Sequence, residues 1–392
     1  MNWKKEKLGN VIKITSGGTP SRSKNEYYNN GNIPWIKTGD LKVRDLFNAS
    51  EFITEQGLKN SSAKLFPKNT VLVAMYGATI GANSILRIPA CTNQACAALL
   101  PSKNIYPLFL YYYTCSIKSR LIAMGMGGGQ PNISATILKD ISILLPPLPE
   151  QKRIADILDK ADSLRKKRQK AIEQCDEFLK STFLHMFGDP VTNPKGWPIS
   201  EIADFASKVS SGSTPKGGQS VYQRSGIYFI RSQNVRMNYL DYSNIYCISN
   251  EIHNKMKRTW VKNDDVLLNI TGASIGRVAC FKGEDDIANV NQHVCIIRID
   301  KNKVNPIFLS YTISQDSYQR KIIGSNSGGT REAFNFQKIK AFEILMPPLL
   351  LQQKFASNVE KTKAIKQNMQ KQLKELDDNF NSLMQRAFKG EL

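Results

Sequence analysis

The chain repeats itself, and a tandem repeat limits the available folds more than any single motif does. Ser16-Gly17-Gly18-Thr19-Pro20 returns as Ser211-Gly212-Ser213-Thr214-Pro215. Ile33-Pro34-Trp35-Ile36-Lys37-Thr38 returns as Ile227-Tyr228-Phe229-Ile230-Arg231-Ser232. Val71-Leu72-Val73 and Gly77-Ala78-Thr79-Ile80-Gly81 return as Val266-Leu267-Leu268 and Gly272-Ala273-Ser274-Ile275-Gly276. Asn93-Gln94 matches Asn291-Gln292, and Pro107-Leu108-Phe109-Leu110 matches Pro306-Ile307-Phe308-Leu309. Leu145-Pro146-Pro147-Leu148 matches Met346-Pro347-Pro348-Leu349. The six matches keep their order, and their offset drifts by only a few residues, as loop insertions produce. With 392 residues, there is room for two copies, each with a core of its own.

Each copy has two parts. The first is cut into short β-branched and aromatic runs by Gly, Pro, Asn and Ser, with strands expected at 70–75, 141–145, 266–270 and 293–299. Short helices are expected at 107–124 and 306–323. The second part starts after the Pro-Pro pair, which no helix passes. From 150 to 187, apolar residues recur at Ile154, Leu158, Ala161, Leu164, Ile172, Cys175, Leu179 and Met186. The later copy gives Phe355, Val359, Thr362, Ile365, Met369, Leu373, Leu376, Phe380 and Leu383. Steps of three and four make a narrow coiled-coil seam, and each stripe needs a partner helix to cover it. A helix of roughly 38 residues spans on the order of 57 Å, which is the length of roughly 17 base pairs. The boundaries expected are 1–148, 149–188, 189–348 and 349–392. The Gly188 to Gly196 linker reads as ordinary stop signals.

The charge is lopsided: 54 Lys plus Arg against 33 Asp plus Glu leave +21. Such an excess points to a polyanionic partner, because each phosphate neutralised releases counterions. No apolar run is long enough to span a bilayer and no secretory leader is seen. The seven cysteines are scattered without a Cys-x-x-Cys, which suits a reducing cytoplasm and buried, structural thiols.

Chemistry is hard to find. Asn305-Pro306-Ile307-Phe308 lacks the second proline of a base-gripping turn, and proline in the first turn of a helix accounts for it. Neither glycine turn is followed by the Lys-Ser/Thr of a phosphate-binding loop. The histidines His185, His253 and His293 lie apart with no ligand spacing, and Glu284-Asp285-Asp286 reads as a solvated loop.

The Ser-Gly-x-Thr-Pro opening, the Trp35-Ile36-Lys37-Thr38-Gly39-Asp40-Leu41 stretch and the Leu145-Pro146-Pro147-Leu148-Pro149-Glu150-Gln151-Lys152-Arg153-Ile154 run together resemble the specificity subunit of type I restriction-modification enzymes. The resemblance covers essentially the whole chain. It implies an α+β fold: two similar target recognition domains with mixed sheets, separated by two long antiparallel coiled-coil helices. Each domain of that family reads one half of a bipartite DNA site, and the helices fix the unread gap. The family subunit is not catalytic. It docks two methyltransferase subunits and, through them, restriction and translocase subunits. S-adenosylmethionine, ATP and Mg are then expected on those partners and not on this chain. The second copy departs at Met346-Pro347-Pro348-Leu349-Leu350-Leu351-Gln352, where Pro-Glu-Gln is missing, which puts in doubt any symmetric role for Glu150.

Candidate DNA contacts sit at matched positions. Lys37, Thr38 and Asp40 and, in the other copy, Arg231, Ser232, Gln233 and Asn234 each follow an apolar strand; Arg suits guanine, Gln and Asn suit adenine. The competing reading is a polar strand-end turn. Tyr76, Thr79 and Arg277 flank the glycine turns, where backbone can approach phosphate. Gln130 and Arg331 lie in glycine-rich loops suited to ordering on binding. Lys166-Lys167-Arg168 is better read as a solvated face. The alternatives left open are the specificity subunit of another bipartite restriction system, a self-sufficient enzyme, and a coiled-coil scaffold that binds protein only.

Overall fold

In the computed structural model, residues 3–125, 132–283, 287–324 and 333–392 are described. The chain divides into two compact units, Met1–Gln169 with Lys371–Leu392, and Lys170–Gln370. Both use the same plan.

In the first unit, a five-stranded sheet runs in the order Ile14–Ser16, Cys96–Leu99, Val71–Ala74, Asn83–Leu86, Asp45–Leu46. All pairs are antiparallel except the last. A second sheet has the order Glu51–Ile53, Ile33–Ile36, Ala90–Thr92, Leu65–Phe66, with Ile33–Ile36 parallel to Ala90–Thr92. Val71–Ala74 is an unbroken apolar run and not an alternating one because both of its faces are covered. Leu72 and Ala74 meet Ile36, Phe66 and Ala90 between the sheets. Val71 and Val73 meet Phe109, Tyr112 and the long-helix residues Ile154 and Leu158.

The second unit repeats this with sheets Ala206–Ser211, Val294–Ile299, Val266–Asn269, Val278–Cys280 and Tyr246–Ile248, Ile227–Ile230, Ala288–Val290, Trp260–Val261. Val266 and Leu268 face Phe308, Phe183, Phe187 and Phe355. Each helix expected after the sheet is in fact two: Pro107–Ser116 and Lys118–Gly125, then Pro306–Ser314 and Asp316–Gly324.

The long helices are Leu148–Phe187 and Leu349–Lys389. Within each unit they run antiparallel. Arg165 bonds Asp377 at 2.6 Å in the first, and Lys366 bonds Asp176 at 2.6 Å in the second. The seam differs from the sequence expectation at one matched pair. Leu164 and Ile365 point outward, 55% and 52% exposed, because the 3.6-residue helix drifts away from a 3.5-residue stripe. Among the cysteines, Cys91, Cys96, Cys247 and Cys295 are buried. Burial pushes the Cys96 and Cys295 thiols up to about 12, so they stay protonated packing groups.

Candidate nucleic-acid interface

In both units, an apolar strand ends in a four-residue polar turn built the same way. After Ile33–Ile36, the Asp40 carboxylate accepts the Lys37 N–H at 2.8 Å, and the Asp40 N–H donates to the Lys37 carbonyl at 2.9 Å. After Ile227–Ile230, the Asn234 amide oxygen accepts the Arg231 N–H at 3.0 Å, and the Asn234 N–H donates to the Arg231 carbonyl at 2.8 Å. The Asn234 side chain is 3% exposed and also donates to the Asp241 carbonyl. Both side chains form the turn: Asn234 is buried with its amide oxygen and nitrogen both engaged, whereas half-buried Asp40 commits only one carboxylate oxygen.

What the turns present differs. The Lys37 ammonium lies 2.5 Å from Glu51, which Arg22 also contacts at 2.7 Å. The Lys37 bond holds the Glu51 carboxyl below the usual range, burial opposes, and Arg22 adds to the lowering. Arg22 in turn lies over the rings of Tyr28 and Trp35, at 4.5 and 4.9 Å. In the second unit the matched cation packs on a ring and not against an acid. Arg231 sits 4.2 Å from the Tyr246 ring centre and donates to the Asn244 carbonyl at 3.2 Å. Thr38 and Ser232 are half-buried, and Gln233 is exposed.

Each glycine turn opens and closes on a backbone position that side chains resist: Gly77 at φ 64° and Gly81 at φ 76°, then Gly272 at φ 70° and Gly276 at φ 85°. Tyr76 stands exposed before the first, and Thr79 donates back to the Tyr76 carbonyl at 3.0 Å. Arg277 is half-buried after the second. In the second unit, Asn269 joins the two candidate turns, donating to the Ser232 carbonyl at 2.7 Å and to Ser274 Oγ at 3.1 Å. Gln130 and Arg331 lie outside the described residues.

Several residues at this edge escaped the sequence reading. Thr19 bonds Gln94, and Thr214 bonds Gln292 at 2.5 Å, so the Ser-Gly-x-Thr-Pro and Asn-Gln motifs meet in each unit. The approach is close enough to demand glycine at Gly17 and Gly212. A Cβ there would lie 2.0 Å from the Thr92 carbonyl oxygen and 1.8 Å from that of Val290. His293 continues the chain of contacts, pairing with Gln292 at 3.1 Å and with Thr271 at 2.6 Å. The repeat was the available signal, since both pairs recur at matched positions. His253 has a structural place, stacked on Trp260 at 4.4 Å and bonded to Asn289. Among the described residues, no group of three His, Cys, Asp or Glu is arranged to hold a metal.

The family model described as the type I restriction modification DNA specificity domain matches residues 1–174 and again 194–377. The chain belongs to the type I restriction-modification DNA specificity family. As a specificity subunit it carries two target recognition domains, one per matched segment. It is 26% identical to the MjaIX specificity subunit of Methanocaldococcus jannaschii over the whole of this chain and 94% of that one. It is 35% identical to the EcoR124I/EcoR124II specificity subunit of Escherichia coli over 42% of this chain and 41% of that one. In fold, it resembles the S subunit of a type I restriction-modification system from M. genitalium, with TM-score 0.58 and 15% identity over 99% and 96% of the two chains. A chain from a study of type I complex assembly gives TM-score 0.63 at 17% identity, over 100% and 98%. Among the described residues of this specificity subunit, no helix is long and apolar enough to cross a membrane.

Proposed function

We propose that this subunit reads a two-part, asymmetric DNA sequence in the cytoplasm, one word per recognition domain, and performs no chemistry itself. The observation that carries this is one turn built twice with different side chains. Lys37 and Thr38 are offered by one copy, and Arg231, Ser232 and Gln233 by the other. Two readers of the same frame and different chemistry suit two different words. Tyr76, Thr79 and Arg277, beside the glycine turns, are assigned to backbone contact. Asn269 supports treating Ser232 and Ser274 as parts of one surface.

Two methyltransferase subunits dock on the long helices, and restriction and translocase subunits join through them. Leu164 and Ile365 support this, being exposed apolar residues at matched positions on the two helices. S-adenosylmethionine, ATP and Mg belong to those partners.

The test is adenine methylation of genomic DNA in a host carrying the partner methyltransferase, with and without this gene. A single new motif of two short words with a fixed gap is expected. No new motif, with the intact protein and its partner present, overturns the reading. Arg231→Ala should relax one word only; a loss that is uniform across unrelated DNA reassigns Arg231 to phosphate.

A further inference from the structure

The turn that carries Arg231 runs into a hairpin, Val235–Arg236 paired with Tyr239–Leu240, whose tip is Met237-Asn238. Asn238 takes φ 62°, which asparagine tolerates better than most residues. Each of its polar groups is engaged. Its N–H donates to the Val278 carbonyl at 2.8 Å, and its amide nitrogen donates to Ser314 Oγ at 2.8 Å. Its amide oxygen accepts from Ser310 Oγ at 2.9 Å, and its carbonyl accepts from the Lys363 ammonium at 3.0 Å. Lys363 belongs to the second long helix. The base of the hairpin is closed onto the turn, since Asp241 N–H donates to the Asn234 carbonyl at 2.8 Å. Arg231 is thus linked to the long helix through a short, fully bonded path.

The first unit builds a matching link from other chemistry. Beyond the turn, the Val43 and Arg44 carbonyls accept from Ser84 Oγ and the Ile85 N–H, both at 2.6 Å. The Arg44 guanidinium bonds Asp45 at 2.7 Å and reaches Asp159 on the first long helix. Asp159 also accepts the Tyr112 hydroxyl at 3.0 Å. At the offset that matches Gln151 to Gln352, Asp159 and Asp162 correspond to Glu360 and Lys363. In one unit the loop brings the cation and the helix the acid; in the other the helix brings the cation and the loop a carbonyl.

We propose that Asn238 with Lys363, and Arg44 with Asp159, are positioning residues that set the pose of the reading turn in their own unit. They thereby govern how faithfully each word is read. The proposal rests on the reading function above.

The full-length chain, co-expressed with its methyltransferase partner, tests it by sequencing methylated motifs. Lys363→Met is expected to raise methylation at sites mismatched in one word about tenfold relative to the intact site, with the other word unchanged. Asn238→Gly, which keeps the backbone conformation, should do the same, and Lys363→Arg should restore fidelity. Arg44→Met should relax the opposite word. Hydrogen exchange on the purified chain gives an independent readout. Lys363→Met should speed exchange at the Asn234, Asn238 and Asp241 amides and leave the strand Val294–Ile299 protected. Equal relaxation of both words, unchanged fidelity in both, or exchange spreading through that strand would each overturn the proposal. A wild-type chain that yields no two-part motif sinks the underlying reading; a normal wild-type motif with unaffected variants sinks only the positioning role.

Discussion

Gln151 closes the joint between a recognition domain and its helix with one fully buried amide. Its oxygen accepts the Tyr106 N–H at 2.8 Å, and its nitrogen donates to the Asn104 and Pro146 carbonyls at 3.0 and 2.8 Å. Gln352 repeats this with the Asn305 N–H at 2.9 Å and the Pro347 carbonyl at 2.8 Å. Replacing Gln352 by Leu strands a buried donor and acceptor, so the second unit should lose about 3 kcal/mol in urea unfolding. The sequence marked the second copy as lacking Pro-Glu-Gln, yet the glutamine survives at the matched position; Pro149 and Glu150, the latter paired locally with Arg153, are replaced by Leu350 and Leu351. Asp45 gives a second test. Burial disfavours its charge, but Arg44 and Arg87 outweigh it and hold its pKa below the ordinary value. A depressed carboxyl stabilises the fold above its unfolded pKa, about 3.9, and the contribution vanishes as pH falls through the folded value. Acid unfolding of the first unit should therefore be less steep in Asp45→Asn. At this scale the sequence said least: that Asp40 and Asn234 bond back to residues 37 and 231 depends on geometry that residue type does not specify.

The elements were far more legible. The strand runs around residues 71, 142, 266 and 294 and the helix starts after each Pro-Pro pair follow from hydrophobic period and proline chemistry alone. The helix break at Ile117 was not legible, since no glycine or proline marks it. Of the expected seam, Ile154, Leu158, Leu179, Phe355 and Val359 are buried, in cores that the long helices share with the recognition-domain sheets. The expectation failed at Leu164 and Ile365, where spacing alone cannot say which side of a drifting stripe faces the partner helix. Their exposure leads to a prediction at this level. Leu164→Glu with Ile365→Glu should leave the folded chain and its DNA affinity intact while co-purification with the methyltransferase falls at least about tenfold, because burying an unpaired carboxylate costs more than ~1.4 kcal/mol. Unchanged co-purification would place docking elsewhere.

For the whole molecule, duplication was the decisive signal for two like domains, and the motifs it repeats carried the resemblance to the family. The net charge of +21 belongs to this scale too. If several phosphates are neutralised, log affinity should fall linearly with log salt, with a slope of about −0.9 per phosphate. A flat salt response in filter binding would remove DNA as the polyanion. The joint at Gln151 and the joint at Gln352 also have a meaning for inheritance. Because the two buried-glutamine junctions are built alike, a recognition segment exchanged at either one is expected to keep the joint to its helix. The Pro146-Pro147 and Pro347-Pro348 pairs beside the joints are then the expected boundaries for exchange of whole segments.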